Sequence, residues 1–480
     1  MMSTSDLLNI LPLLVISGSA VIAMLLVAIR RNHRIMHAFS VLAFMLAFVA
    51  LFLQPDVSPH IIAPLFVIDA FAMFNTGLIL VAGLSVLFLS FRYFEQREER
   101  KEEYYILLLL ATVGGLVLVI SQHFISLFLG LETMSISLYG MIAYLRKRER
   151  SDEAGIKYLL LAALSSAFLL FGMALVYAHT GRMDFTGIGA FLETAGDVPA
   201  SVVAGFGLML IGVGFKLGIV PFHMWTPDIY EGSPLPVAAY IATVSKGSML
   251  VLLMRFYRDI NGYEYTILWW VFAIIAMASM FAGNWLALLQ QNVKRLLAYS
   301  SIAHMGYILI AFLAGQHAGQ EAVIFYLVAY VITSIGAFGV LALLSDKVRD
   351  AELLEDFSGL FWRHPWLATI FTGMLLSLAG IPLTAGFIGK FYIIAAGVDA
   401  GLWLLLIILV INSVIGLFYY IRMIAVMFRP LPETGAAVPR AGLPFFGMFA
   451  LSALMLLLLL LGVYPSGLIA VIREMMLTMI

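Results

Sequence analysis

Four lysines interrupt apolar runs long enough to cross a bilayer: Lys157, Lys216, Lys246 and Lys390. An ionised side chain at mid-bilayer costs roughly 2.5–3.5 kcal/mol even on lenient insertion scales, so each asks for a partner or a function. From the centre of a hydrocarbon core about 30 Å thick, a lysine stem of about 6 Å cannot reach water. Lys216, Lys246 and Lys390 are therefore expected to face a hydrated seam inside the protein. Lys157 stands near one end of its run and can equally lift its ammonium to the interface. Glu132, in SLFLGLETMS at 126–135, falls roughly 12 Å inside another run. A buried carboxylate is expected to face a lysine, either as a static ion pair or as a pair that exchanges a proton. Lysines outnumber acids in these runs, which favours groups that change charge. A lysine offers no oxygen to sodium, so the chemistry these residues suit is proton movement.

Two of the lysines stand beside helix breakers. In GVGFKLGIVPFH at 212–223, Pro221 is expected to remove one hydrogen bond and free backbone groups next to Lys216. In LAGIPLTAGFIGK at 378–390, Pro382 with Gly380 is expected to do the same beside Lys390. Freed backbone at membrane depth is tolerated where it is buried in protein or lines water. A broken helix carrying a lysine once in each half is the pattern of an inverted-repeat transporter. The chain divides accordingly into an N-terminal three-helix segment (1–103), a first repeat (104–256), a second repeat (264–428) and a C-terminal helix and tail (429–480). The correspondence is imperfect, since Lys216 precedes its proline and Lys390 follows its own. His223 follows Pro221 closely and suits a relay near neutral pH or a cap on the broken helix. His304, in YSSIAHMGY at 299–307, has polar neighbours that suit a water chain, or it is a satisfied core histidine.

Apolar helices must position these groups. Of 480 residues, 63% are hydrophobic and 11% charged, against about 25% charged in a soluble domain. Mean hydropathy is +1.03. The fold class is an all-α integral membrane protein of about fourteen transmembrane helices, at 7–29, 35–53, 67–91, 104–121, 124–145, 154–179, 201–224, 235–256, 264–289, 295–314, 321–344, 364–396, 402–428 and 443–464. The first run is too long for a signal-peptide core and reads as a retained helix. Alternate loops collect basic residues, among them Arg30, Arg31, Arg34, Arg146, Lys147, Arg148, Lys294, Arg295, Arg429 and Arg440, while the other loops and the tail hold only Arg182, Arg255, Arg258 and Arg473. Short cytoplasmic loops gather Lys and Arg, so both termini are expected on the non-cytoplasmic side. Arg422, near the end of the thirteenth span, is expected to snorkel to the cytoplasmic face. The longest polar stretches, 92–103, 180–200, 345–363 and 429–443, read as connectors, leaving no room for a soluble catalytic domain.

Net charge is −1 and gives no reason to expect a nucleic-acid partner. Zero cysteines exclude disulfides, iron–sulfur ligation and thiolate metal sites in this chain. The sequence has no Walker motif and no dinucleotide fingerprint. Moving a proton against about 100 mV costs roughly 2.3 kcal/mol, so the driver must sit on other subunits.

The stretches GFKLGIVPFHMWTPDIYEGSPLPV at 214–237, ATVSK at 242–246 and NVKRLLAYSSIAHMGY at 292–307 resemble the proton-conducting antiporter-like family of membrane subunits. Chain length, span number and the segment at 378–391 bring it nearest the subunit N branch, from the respiratory NADH–quinone oxidoreductase (complex I). The related M branch carries glutamate where this chain has Lys390, and the L branch has a long C-terminal lateral helix for which too little chain follows Arg473. The resemblance implies a coupled pair of Glu132 and Lys216, a central relay at Lys246 and a terminal site at Lys390. It also implies FMN, iron–sulfur clusters, NADH and a quinone on partner subunits, namely sibling antiporter-like subunits, small membrane subunits and a peripheral arm in the bacterial inner membrane. A subunit of a cation/proton antiporter is the alternative.

Overall fold

Backbone amides buried in lipid must be satisfied within their own segment, and an uninterrupted apolar run can do that as a helix. The computed structural model describes residues 4–53, 59–97, 100–146, 148–194, 198–430 and 445–477, so Lys147, Arg440 and the first residues of the expected last span lie outside them. After a short α1 (Thr4–Asn9), α2 (Leu11–Ile29) and α3 (His33–Ala50) lead to a small antiparallel hairpin, β1 (His60–Ile62) and β2 (Phe66–Ile68), in which His60 pairs with Ile68. Then come α4 (Ala70–Glu95), α5 (Glu102–Val119), α6 (Phe124–Ile142), α7 (Glu149–Thr180), the short α8 (Phe185–Thr194) and α9 (Ala200–Leu217). The middle of the chain holds α10 (Trp225–Gly232), α11 (Leu235–Tyr240), a π-helical turn (Ile241–Ser245), α12 (Lys246–Asp259), α13 (Thr266–Leu288), α14 (Val293–Ala314) and α15 (Gln316–Leu344). The last part comprises the one-turn α16 (Leu360–Arg363), α17 (Pro365–Ala379), α18 (Ala385–Asp399), α19 (Trp403–Met427), α20 (Phe445–Val463) and α21 (Ser466–Leu477).

Among the described residues thirteen helices, counting the continuous Leu235–Asp259 as one, are long and apolar enough to cross a membrane. The expected span at 364–396 is divided into α17 and α18, each of 15 residues. That interrupted pair stands in the place of the remaining expected span, and of the two only α17 is a shorter apolar helix. The stretch at 180–200, expected to be a plain connector, carries α8, and the expected tail carries α21, whose Ile472, Met475 and Met476 are buried.

The helix from Leu235 to Asp259 and α14 are each buried over a full membrane-spanning window, whereas α7, α13, α19 and α20 turn one face outward. Outward residues are apolar, such as Leu160, Val414 and Leu456. Hydrocarbon is their natural solvent, so no hydrophobic force drives helices together, and close packing depends on small residues. Between α7 and α9, a Cβ on Gly172 would lie 2.5 Å from the Gly205 carbonyl oxygen, and one on Gly205 would lie 2.8 Å from that of Gly172.

Two of the basic residues assigned to loops lie buried within helices. Arg255 lies within α12 and is 1% exposed, and Lys294 lies in the first turn of α14 and is also 1% exposed. Loop composition misplaced them because each is neutralised by a carboxylate distant in sequence: Asp69 for Arg255 and Asp350 for Lys294.

Candidate functional site

The two helix breaks are made by glycines. α9 stops at Leu217 because Gly218 adopts a left-handed conformation (φ 66°, ψ 41°) and returns its N–H to Gly214 and Phe215. α17 stops at Ala379 in the same way, with Gly380 at φ 84°, ψ 43° and its N–H on Leu376 and Ser377. Pro221 and Pro382, expected to make the breaks, sit in the loops beyond. A left-handed residue ends the hydrogen-bond ladder before either proline is reached.

Each stop leaves carbonyl oxygens without helical partners, at the negative end of the helix dipole. A lysine approaches both. Lys390 donates to the carbonyls of Leu378 (3.1 Å) and Ala379 (2.8 Å) and to Ser413 Oγ (2.8 Å). At Gly218 the approaching lysine is Lys246, from a different helix: a Cβ on Gly218 would lie 3.1 Å from Lys246 Nζ, and one on Gly380 would lie 3.1 Å from Lys390 Nζ. Lys246, rather than Lys216, thus stands beside its left-handed glycine as Lys390 does beside Gly380.

Lys216, in the last turn of α9, is buried and donates to Ser135 Oγ (2.9 Å) and Tyr158 OH (3.0 Å). Glu132 is only half-buried, and its Oε1 accepts from Ser166 Oγ at 2.5 Å. Glu132 and Lys216 are within electrostatic reach but make no direct ion pair. Ser135, one turn along α6 from Glu132, takes the ammonium instead. The helical step put the carboxylate on the right face, but the hydroxyls of α6 and α7 fill the gap. Lys157 stays outside the buried row. Its side chain is 44% exposed and pairs with Glu153 (2.6 Å) and Asp228 (3.1 Å).

Lys246 follows the π turn directly and is fully buried. It donates to Ser301 Oγ at 2.6 Å, and Ser301 also accepts from Tyr330 OH at 2.8 Å. Ser300, Ser301, His304 and Tyr307 lie along α14, which has no exposed face. His304 shares hydrogen bonds with Tyr326 OH (2.7 Å) and Tyr420 OH (3.1 Å), and Tyr420 OH meets Ser300 Oγ at 2.5 Å. His304 lies within electrostatic reach of both Lys246 and Lys390. The ring of Tyr307 stands edge-on to His304, with Lys390 Nζ 5.1 Å from its centre. His223 is buried in the loop after Gly218, within electrostatic reach of Lys246, and its Nδ1 has no hydrogen-bond partner; neither has the nearby Thr226 Oγ1. Titratable groups thus occur at Glu132 and Lys216, at Lys246 and His304, and at Lys390, with hydroxyl partners on each lysine. Tyr158, Tyr326, Tyr330 and Tyr420 escaped the sequence reading, since a tyrosine in an apolar run gives no sign of where its hydroxyl points.

The row lies between two buried ionic clusters. Asp350 is 2% exposed and receives Tyr93 OH (2.9 Å), Arg148 (3.0 Å), Lys294 (3.2 Å) and Arg97 (3.3 Å). Burial pushes its carboxyl up, but Lys294, Arg148 and Arg97 together hold it below the usual carboxylate range. Asp228 is also held low: burial opposes the shift, and hydrogen bonds from Arg295 and Lys157 outweigh it. In the other cluster, Asp69 and Arg255 form a two-bonded pair at 2.8 and 2.9 Å. Arg422, expected to snorkel, donates to the carbonyls of Leu288 (3.2 Å) and Gln290 (2.6 Å) at the end of α13. Among the described residues no group of three or more His, Cys, Asp or Glu could hold a metal ion.

Residues 121–416 match the family described as NADH:quinone oxidoreductase/Mrp antiporter, TM. The chain is 47% identical over 484 residues to NADH-quinone oxidoreductase subunit N of Ectopseudomonas mendocina, covering 98% of this chain and 97% of that one. It is 50% identical over 485 residues to the subunit of the same name from Nitrosospira multiformis, covering 98% and 96%. Among solved structures it resembles a chain of respiratory complex I from Thermus thermophilus (TM-score 0.81, 31% identity, 96% of this chain and 98% of that one). A chain of the Mrp complex from Dietzia sp. shares the fold with TM-score 0.88 at 22% identity, covering 99% and 97%.

Proposed function

The chain belongs to the subunit N family of NADH-quinone oxidoreductase, and from that premise we propose that it carries protons across the membrane through the row from Glu132 to Lys390. Electron transfer from NADH to quinone takes place on partner subunits, where FMN and iron–sulfur clusters reside, and drives this movement from outside the chain. The observation that carries the reading is that each buried lysine of the row has a hydroxyl partner, above all Lys246 with Ser301 at 2.6 Å. A hydroxyl both donates and accepts, so it can receive a proton from an ammonium on one side and release one on the other. Glu132 and Lys216 form the first pair, Lys246 with His304 the relay, and Lys390 the terminal site. His223 and Lys157 assist from the loop and the rim.

The two glycine-terminated half-helices, one in each half of the chain, support repeats at 104–256 and 264–428. Outward apolar faces on α7 and α19 suit contact with lipid or with sibling membrane subunits. Basic loop residues support a bacterial inner-membrane location with both termini on the non-cytoplasmic side. The test is Lys246→Ala in the whole complex, reconstituted in sealed vesicles, with protons moved per electron as the readout. A lower ratio in assembled complex is expected, and an unchanged ratio would remove Lys246 from the path. Glu132→Gln should lower the ratio in the same direction.

A further inference from the structure

The N-terminal helices stand outside both repeats and carry no member of the lysine row. One of them is nevertheless tied through ionic contacts to both helices that carry the central hand-off. Asp69 caps the start of α4 by accepting Ala72 N–H (2.7 Å), and the same carboxylate grips Arg255 with two bonds at 2.8 and 2.9 Å. Arg255 belongs to α12, the helix that begins with Lys246. At the other end of α4, Tyr93 donates to Asp350 (2.9 Å), and Arg97, just past the helix, reaches the same carboxylate at 3.3 Å with its guanidinium 3.8 Å from the centre of the Tyr93 ring. Asp350 in turn holds Lys294 (3.2 Å), in the first turn of α14, the helix that carries Ser301. Between these ends α4 packs directly on the π turn. Asn75, Ile79 and Ala82 meet Thr243, Val244 and Gly247 there around a cleft with room for little more than one water.

From this geometry we infer that α4 is a strut that sets the separation of Lys246 and Ser301, with Asp69 and Asp350 as its positioning residues at opposite ends. α12 is registered through Arg255 and α14 through Lys294, so the donor and acceptor of one 2.6 Å contact are fixed to the same rod. Both carboxylates are almost wholly enclosed, and a buried carboxylate bound to cations tolerates little displacement because separation leaves charges uncompensated. A short proton transfer is sensitive to small misplacement of its partners. The N-terminal segment thereby holds the two repeats in register at the point where the proton passes between them.

The inference rests on Lys246 being part of the path, and its test separates the two. Asp69→Asn and Asp350→Asn in the intact complex should each lower protons per electron toward the value of Lys246→Ala. Combining them should lower it little further, because both act on one contact. Asp350→Glu, which keeps the charge, should recover most of the ratio. Amide hydrogen exchange at 293–301, measured on the least perturbed variant that assembles, should rise above wild type. A wild-type ratio in assembled asparagine variants, wild-type exchange at 293–301, or failure of the asparagine and glutamate forms alike to yield complex would overturn the strut. If Lys246→Ala itself leaves the ratio unchanged, the proton path fails first; if it lowers the ratio and the aspartate variants do not, only the strut fails.

Discussion

The two half-helix ends treat their lysines differently. Lys390 is bound by two backbone carbonyls and one hydroxyl, whereas Lys246 lies close to the equivalent glycine but donates to Ser301. A carbonyl only accepts, so it favours an ammonium that keeps its proton. A hydroxyl can accept and donate in turn, so it favours transfer. On the proposed path the first half would pass a proton onward and the second would hold one, although each half ends its broken helix on a left-handed glycine. Lys216 extends the contrast, since its partners are the hydroxyls of Ser135 and Tyr158.

The largest effects should come from the glycines. An alanine in the left-handed region costs roughly 1–2 kcal/mol in backbone strain alone. In Gly380→Ala the new Cβ would also meet Lys390 Cδ at 2.8 Å, and in Gly218→Ala it would meet Thr226 Oγ1 at 2.7 Å. Both variants should pump as poorly as the corresponding lysine-to-alanine changes; normal protons per electron in either would mean that the half-helix end does not hold its lysine.

Ser301→Ala against Ser413→Ala tests the asymmetry itself. Removing the hydroxyl from Lys246 takes away a charge-assisted bond worth about 1.5–3 kcal/mol and should slow proton delivery on the order of tenfold. Lys390 keeps its two carbonyls after Ser413→Ala, so that variant should stay near wild type. Equal losses would abolish the distinction between passing and holding. A smaller change is expected for Tyr420→Phe, because His304 retains Tyr326 at 2.7 Å; a shift in the pH profile of pumping without loss of complex would register it.

The smallest effect at neutral pH concerns the cluster around Asp350. Its folded carboxyl is held below the usual range by Lys294, Arg148 and Arg97 against the upward push of burial. Its stabilising contribution is therefore complete at neutral pH, and it is lost only as pH falls below the ordinary carboxylate value of about 3.9. Thermal unfolding of the purified complex should be insensitive to Asp350 protonation between pH 6 and 8, a range about two units or more above that value, and should weaken in strong acid. Steady loss of stability on going from pH 8 to pH 6 would contradict the ion-pair assignment.

What the sequence determined by itself is what a local sum can hold. Apolar length gave the crossings, the charge of mid-span lysines marked Lys216, Lys246 and Lys390, and Pro221 and Gly380 with Pro382 located the two breaks to within a few residues. Hydropathy is additive along the chain, so these features need no knowledge of neighbours. Partnership is not additive. That Lys246 meets the glycine turn of another helix, that Glu132 bonds Ser166 before any lysine, and that Asp69 and Asp350 draw Arg255 and Lys294 out of water all depend on helices remote in sequence packing side by side. A connector reading of 345–363 was reasonable from polarity, yet Asp350 lies buried there, because the cost of desolvating a carboxylate is offset by cations supplied from three other parts of the chain. Only the tertiary structure brings those charges together.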